Sequence, residues 1–226
     1  MEYLNSKKAV FLERPNRFIA RCLVDGTEET VHVKNTGRCR ELLTPGASVI
    51  LEKSSNPQRK TKYDLISVYK DGRLVNIDSA APNKAAGEFL QHGGIIKRPA
   101  LIKPEAVFGA SRLDFYIEGD GRRIYAEVKG VTLRVGDCAV FPDAPTARGA
   151  KHMKELVQAV QAGYEAFALF VIQMKGCTCL KPNDKTDPAF CTALRNAAAS
   201  GVLIKAMDCV VDEYSITLDK EVPILL

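Results

Sequence analysis

Between residues 18 and 79 the apolar positions come in short, β-branched, partly alternating runs, with little at helical spacing. FIARCLV, ETVHVK, SVILEKS, YDLISVY and RLVNIDS each read as a strand. DGTE, KNTGR, TPGA, SSNPQRK and KDGR separate or flank them, and their Gly, Pro and Asn residues suit turns. Asp71-Gly72, between two such runs, predicts a hairpin. Five short strands in this span predict a small closed or partly closed barrel. The five-stranded OB type comes first, and a small SH3-like barrel fits nearly as well.

The period then lengthens. In APNKAAGEFLQHG, residues 81–93, Ala85, Ala86, Phe89 and Leu90 fall at helical spacing. Asn83 is placed to cap the start of that helix, and Gly93-Gly94 to stop it. The change sets an expected boundary near residue 80, with the barrel in 1–80 and a second domain in 81–226. Helices and strands alternate after it. SRLDFYIEGDGRRIYAEVKG, residues 111–130, reads as two strands split by Gly119-Asp120-Gly121, followed by strand-like CAVF at 138–141. A long helix over about 145–163, capped by Thr146, places Ala147, Ala150, Met153, Val157, Val160 and Tyr164 on one face. FALFVIQM, residues 167–174, is an unbroken apolar run of the kind found in a strand covered on both faces. PAFCTALRNAAASG reads as a helix ending at Gly201, and VLIKAMDCVVD as another strand. This order predicts an α/β (α+β) domain with a central mixed sheet flanked by helices.

Composition narrows the setting. The 226 residues are 46% hydrophobic and 26% charged, as in ordinary soluble domains. No apolar run approaches the roughly 18 residues that cross a bilayer. MEYLNSKKAVFLERP lacks the apolar core of a secretory signal, so a cytoplasmic protein with no membrane partner is expected. The seven cysteines are scattered and odd in number. Only Cys177 and Cys179 are close, and the three histidines lack ligand spacing, so reduced, mostly buried thiols are expected rather than a zinc site. The net charge of +5 is uneven. Residues 1–80 hold 14 Lys and Arg against 10 Asp and Glu, whereas residues 81–226 hold 18 against 17. That excess points to an anionic partner at the barrel.

The hairpin at 111–130 carries the chemistry. Positions equidistant from its turn face each other, which makes Asp114 and Glu127 neighbours across the pair. Lys129 projects from the same face as Glu127. Two adjacent carboxylates repel, and a hard dication such as Mg²⁺ or Mn²⁺ resolves the conflict. The Lys129 ammonium could then activate a water or offset charge on a phosphate. The same spacing also fits a surface hairpin with one cross-strand salt bridge.

Asp114 with Glu127-Val128-Lys129 resembles the PD-(D/E)XK nuclease signature, although Leu113 stands where that pattern has proline. KNTGRC near residue 35, SRLDF at 111–115, EVKGVTL at 127–133 and FPDAPTARGAKHMKEL at 141–156 together resemble the sugar fermentation stimulation protein family. The resemblance runs over nearly the whole chain. It implies an N-terminal OB-fold, a PD-(D/E)XK nuclease-like domain, DNA binding and a link to regulation of sugar-utilisation genes. By the same resemblance Asp114 and Glu127 are metal ligands, joined by the Val128 carbonyl, with Lys129 as the catalytic lysine. Glu88, on the preceding helix, is the implied further acid.

Basic residues suggest where phosphates bind. Arg38 and Arg40 flank a glycine turn, and Arg59, Lys60 and Lys62 share a loop of the barrel. Arg148 and Lys151 share a face near a helix start, itself suited to phosphate. A solvated loop or helix face would look the same. With no tryptophan and no helix-turn-helix pattern, contact with the backbone of double-stranded DNA is expected over base reading. The functional expectation is a DNA-binding protein with a metal-dependent nuclease-like site. A non-catalytic DNA-binding regulator that keeps the fold as scaffold is the alternative, phosphodiester chemistry on a small nucleotide is a third reading, and a homo-oligomer is left open.

Overall fold

The computed structural model describes residues 1–35 and 37–226; Thr36, part of the KNTGRC block, lies outside the described residues. Six strands form the N-terminal sheet: β1 Ser6–Asn16, β2 Ile19–Val24, β3 Thr27–Val33, β4 Ser48–Lys53, β5 Tyr63–Lys70 and β6 Arg73–Asn76. Their order is β3-β2-β1-β4-β5-β6, and a parallel β3–β5 pairing closes the first five into the expected OB barrel. Its interior holds Phe11, Cys22, Val31, Leu51, Leu65 and Val68. The hairpin at Asp71-Gly72 forms, with both residues at positive φ.

Within the N-terminal sheet the strand inventory differs from the sequence reading at one place. β1 is the missing barrel strand, whereas the RLVNIDS segment forms β6, which extends the sheet beyond the closure. β1 bends. Its first half pairs with β4 and its second half with β2, with register shifts at Phe11/Glu13 and Glu13/Asn16. A bulged strand shared by two neighbours loses simple alternation.

The second layer begins with α1 Ala81–Gln91 and continues through β7 Leu101–Phe108, β8 Ser111–Gly119, β9 Arg122–Val131, β10 Arg134–Val135 and β11 Cys138–Phe141. α2 Ala147–Gln161, β12 Glu165–Ile172, β13 Cys179–Pro182, α3 Pro188–Ala199, β14 Leu203–Val211 and β15 Ile216–Glu221 follow. The central sheet has the order β15-β14-β12-β9-β8-β7, parallel across β9, β12 and β14 and antiparallel elsewhere. β12 explains its own composition. Ala166, Ala168, Phe170 and Ile172 join the cluster that holds Met153, Leu156 and Leu194 of α2 and α3. Phe167, Leu169 and Val171 join the cluster that holds Ala86 and Leu90 of α1. A strand covered on both faces has no polar side to show.

Two expectations about side chains are corrected. Asn83 does not cap α1: the helix starts after Ala80 with no side-chain cap, and Asn83 turns to the sheet instead. Cys138 and Cys179 form a disulfide rather than two thiols. Parallel pairing of β11 with β13 sets them directly opposite, with Cα atoms 4.7 Å apart, inside the reach of a disulfide. The other five cysteines are buried thiols, as expected. Thr146 does cap α2, accepting from Gly149 N at 3.0 Å. No helix among the described residues is long and apolar enough to cross a membrane.

Candidate metal centre

The β8–β9 hairpin turns through Asp120-Gly121, both at positive φ. Its ladder runs from Gly119↔Arg122 to Phe115↔Ala126, which brings Asp114 level with Glu127. There the strands fork. The Asp114 carboxylate accepts Val128 N–H at 2.7 Å, and its second oxygen accepts Asn83 Nδ2 at 2.8 Å. A strand residue offers its N–H and C=O to the same neighbouring strand, so the Val128 carbonyl opens into the same fork.

Glu127 is 2% exposed and faces α2. Lys129 Nζ lies 2.5 Å from its Oε1, and His152 Nδ1 makes a short contact with the same oxygen. His152 Nε2 in turn accepts from Arg148 Nε at 3.3 Å. Glu127 Oε2 is buried and has no hydrogen-bond partner among the described residues.

The two acids meet different surroundings. Burial first, and then the charge on Glu127, push Asp114 above the ordinary carboxylate range, against the pull of Val128 N–H, Asn83 and Lys129. Burial pushes Glu127 the same way, but His152 and Lys129 together outweigh it and hold the carboxyl below its ordinary value.

A cleft of about 360 Å³ adjoins the acids through Asn83 and Val128, the two residues that hold Asp114. Pro82, Gly130, Thr132, Gln173 and the 141–146 loop line it further, and Asn35, Gly37 and Ser79 close it. Gly130 lets α1 sit close on β9: a Cβ there would lie 2.5 Å from Gln173 Oε1 and 2.7 Å from Pro82 Cγ. A second cleft, of about 420 Å³, shares Gly37 and Ala144 with the first and is lined by Arg14, Arg17, Arg38 and Arg40. Arg14 is occupied by the carbonyls of Arg17, Asn35, Gly37 and Arg38 at 2.6–2.8 Å, so it shapes this cleft rather than opening into it.

The donors suit a hard cation. Asp114 and Glu127 stand level across the hairpin, and Mg²⁺ is typically held by one or two carboxylates while keeping several waters. No group of three or more His, Cys, Asp and Glu side chains spaced to hold a metal occurs among the described residues, which sets this site apart from an all-protein cage.

Other expected site residues are placed differently. Glu88 does not join the acids: its side chain is 47% exposed and pairs with the N-terminal amine at 2.5 Å. Helical pitch explains this, because five residues separate it from Asn83 and turn it to another face. Arg59 is held by both oxygens of Asp64 at 2.8 Å, and Lys62 by Glu29 at 2.8 Å, which ties both into the barrel. Lys60 is exposed. Arg148 and Lys151 lie on the first turns of α2, where Lys151 pairs with Glu155 at 3.6 Å.

His152, which the sequence suggests as a packing or capping residue, contacts Glu127, and Arg17, which sequence reasoning missed, lines the second cleft; Asn83, read as a cap, holds Asp114. The inward face of α2 is Gly149, His152, Met153, Leu156 and Ala159, not the expected one, on which Ala147 is exposed and Ala150, Val157 and Val160 are only half-buried. A histidine inside an otherwise apolar stripe at helical spacing was the available signal.

Family models match both layers. The SfsA N-terminal OB domain matches residues 12–77, and the sugar fermentation stimulation protein RE domain matches residues 80–215. A sugar fermentation stimulation protein homolog from Ruminiclostridium cellulolyticum is 49% identical over 226 residues, covering 100% of both chains. One from Desulfitobacterium hafniense is 54% identical over 216 residues, covering 96% of this chain and 94% of its own. Among solved structures, that of Pyrococcus furiosus SfsA in complex with Ca²⁺ superposes with a TM-score of 0.91 at 29% identity, covering 100% of this chain and 98% of the other.

Proposed function

The chain belongs to the sugar fermentation stimulation protein family, and from that premise we propose that it is a DNA-binding protein with a metal-dependent, nuclease-like site that hydrolyses phosphodiesters. One observation carries the reading. Glu127 Oε2 is a buried, unpartnered carboxylate oxygen level with a second carboxylate, and such an atom is costly unless something cationic completes it. The solved Pyrococcus furiosus SfsA, described as a complex with Ca²⁺, supports a hard dication in this family.

Asp114, Glu127 Oε2 and the Val128 carbonyl would hold Mg²⁺ or Mn²⁺. When bound, the ion supplies Lewis-acid polarisation of a phosphoryl oxygen and a more acidic water. Lys129 is the mobile group. Its ammonium rests on Glu127 Oε1 and turns to a non-bridging phosphate oxygen, where it offsets charge gained by the phosphate in attack. Asn83 and Val128 N–H fix Asp114 so that its charge stays aimed at the fork. Arg38 and Arg40, in the adjoining arginine cleft, and Lys60 hold neighbouring phosphates of a duplex, and Arg148 and Lys151 approach the backbone from α2. The relatives' shared name supports a link to sugar utilisation, which this chain would serve through its hold on DNA.

Calorimetry and cleavage test the reading together. Wild type should take up Mg²⁺ or Mn²⁺ with a stoichiometry that Asp114→Ala abolishes. Duplex DNA should be cut with Mn²⁺, and Glu127→Ala should lower the rate by at least about 100-fold. DNA binding without cation uptake would favour the scaffold reading, and cutting that survives Glu127→Ala would contradict the assigned site.

A further inference from the structure

Glu127 Oε1 accepts from two donors, Lys129 Nζ and His152 Nδ1, while Oε2 has none among the described residues. The far side of the imidazole explains why both are there. Arg148 Nε approaches His152 Nε2 at 3.3 Å, and a guanidinium N–H can only donate. Nε2 therefore keeps its lone pair, the ring proton stays on Nδ1, and Nδ1 donates to Glu127. The two donors differ in freedom. His152 is 4% exposed on the inward face of α2, whereas the Lys129 side chain, 14% exposed, is a flexible four-carbon stem on a strand. Only the lysine can leave without disturbing a packed helix.

We infer that His152 is a positioning residue for the metal centre. Fixed by Arg148, it keeps Glu127 Oε1 occupied and leaves Oε2 for the cation at the moment Lys129 departs for the phosphate. The inference rests on the metal-site reading above and adds to it a reason why the departure of Lys129 does not release Glu127. Groups that orient a metal ligand from behind usually change affinity by about 10- to 100-fold when lost.

The test uses the full chain with Mn²⁺ alone and no nucleic acid, comparing wild type, His152→Asn and His152→Leu by calorimetry and thermal unfolding. The asparagine amide nitrogen is bonded to Cγ as Nδ1 is, so it restores the donor; leucine fills the space without one. His152→Leu should lose about tenfold or more in Mn²⁺ affinity, and His152→Asn should stay close to wild type. Unchanged affinity in His152→Leu overturns the inference. So does equal weakening in both variants with a matching fall in unfolding temperature, which marks packing alone. Nitrogen-15 NMR of the wild-type imidazole covers the case in which His152→Leu does not fold: Nδ1–H with a bare Nε2 supports the inference, and a proton on Nε2 overturns it. Wild type that takes up no Mn²⁺ refutes the metal-site reading, and the tautomer, which needs no cation, tells that failure apart from failure of the Arg148–His152–Glu127 chain.

Discussion

Asp114 and Glu127 sit level across one hairpin, and their surroundings push their protonation in opposite directions. For Asp114 the sign follows from linkage. A carboxyl whose folded value lies above its unfolded one adds stability only at pH below the ordinary carboxylate range, and that stability fades as pH rises through the folded value. Once pH passes that folded value, ionising Asp114 therefore works against the fold. Asp114→Asn should raise the unfolding temperature by roughly 2–4 °C at neutral pH and lose cation uptake together. Its stability gain over wild type should vanish as pH falls below the ordinary carboxylate range. Unfolding curves across pH check this, and a variant less stable than wild type at pH 7 would contradict the assigned burial conflict. The neighbouring placement of Asp114, Glu127 and Lys129 was legible because a period of two makes facing and same-face positions a matter of counting from the turn. Glu88 was misplaced because a lone helical acid does not say which face it is on; its contact with the N-terminal amine joins residues 87 apart in sequence.

At the scale of elements, the fork between β8 and β9 depends on α1 lying close to the sheet. Gly130 permits that approach, with Gln173 and Pro82 filling the space a Cβ would take. Gly130→Ala should cost about 1–3 kcal/mol of stability, read from denaturant midpoints, and should also weaken cation binding, because Pro82 carries Asn83 away from Asp114. Wild-type stability in this variant would show that the contact yields at no cost. Elements with one clear environment were readable from the chain: the two glycine-turn hairpins, the doubly covered β12, and α2 with its Thr146 cap. Those with mixed environments were not. β1 divides its pairing between two neighbours, and β7 is an edge strand with Pro104 and Glu105 inside it and only Ala106 buried. The face of α2 was rotated because His152 and Glu155 are buried there, and a hydrophobicity pattern cannot foresee polar groups turned inward.

Across the whole molecule, the barrel and the α/β layer are not separate bodies joined by a linker. One apolar cluster runs from Phe11 and Leu65 in the barrel to Val131, Met174 and Phe190 beyond it. A buried polar network crosses the same junction: Asn76 N–H donates to the Gln173 carbonyl at 2.9 Å, Gln173 Nε2 donates to Asn76 Oδ1 at 2.9 Å, and Asn76 Nδ2 donates to Tyr3 at 2.8 Å. Such a network is satisfied only in one arrangement, so it fixes the arginine cleft of the barrel beside the acid fork of the sheet. The sequence could show both halves but not this registration, because the contacts that set it join residues about a hundred positions apart. The proposed site is the product of that registration, and its most direct test is anomalous diffraction from crystals of the full chain grown with Mn²⁺. A manganese peak in contact with both the Asp114 carboxylate and Glu127 Oε2 is the expected result. A peak elsewhere, or none at saturating Mn²⁺ with both carboxylates well ordered, would contradict it.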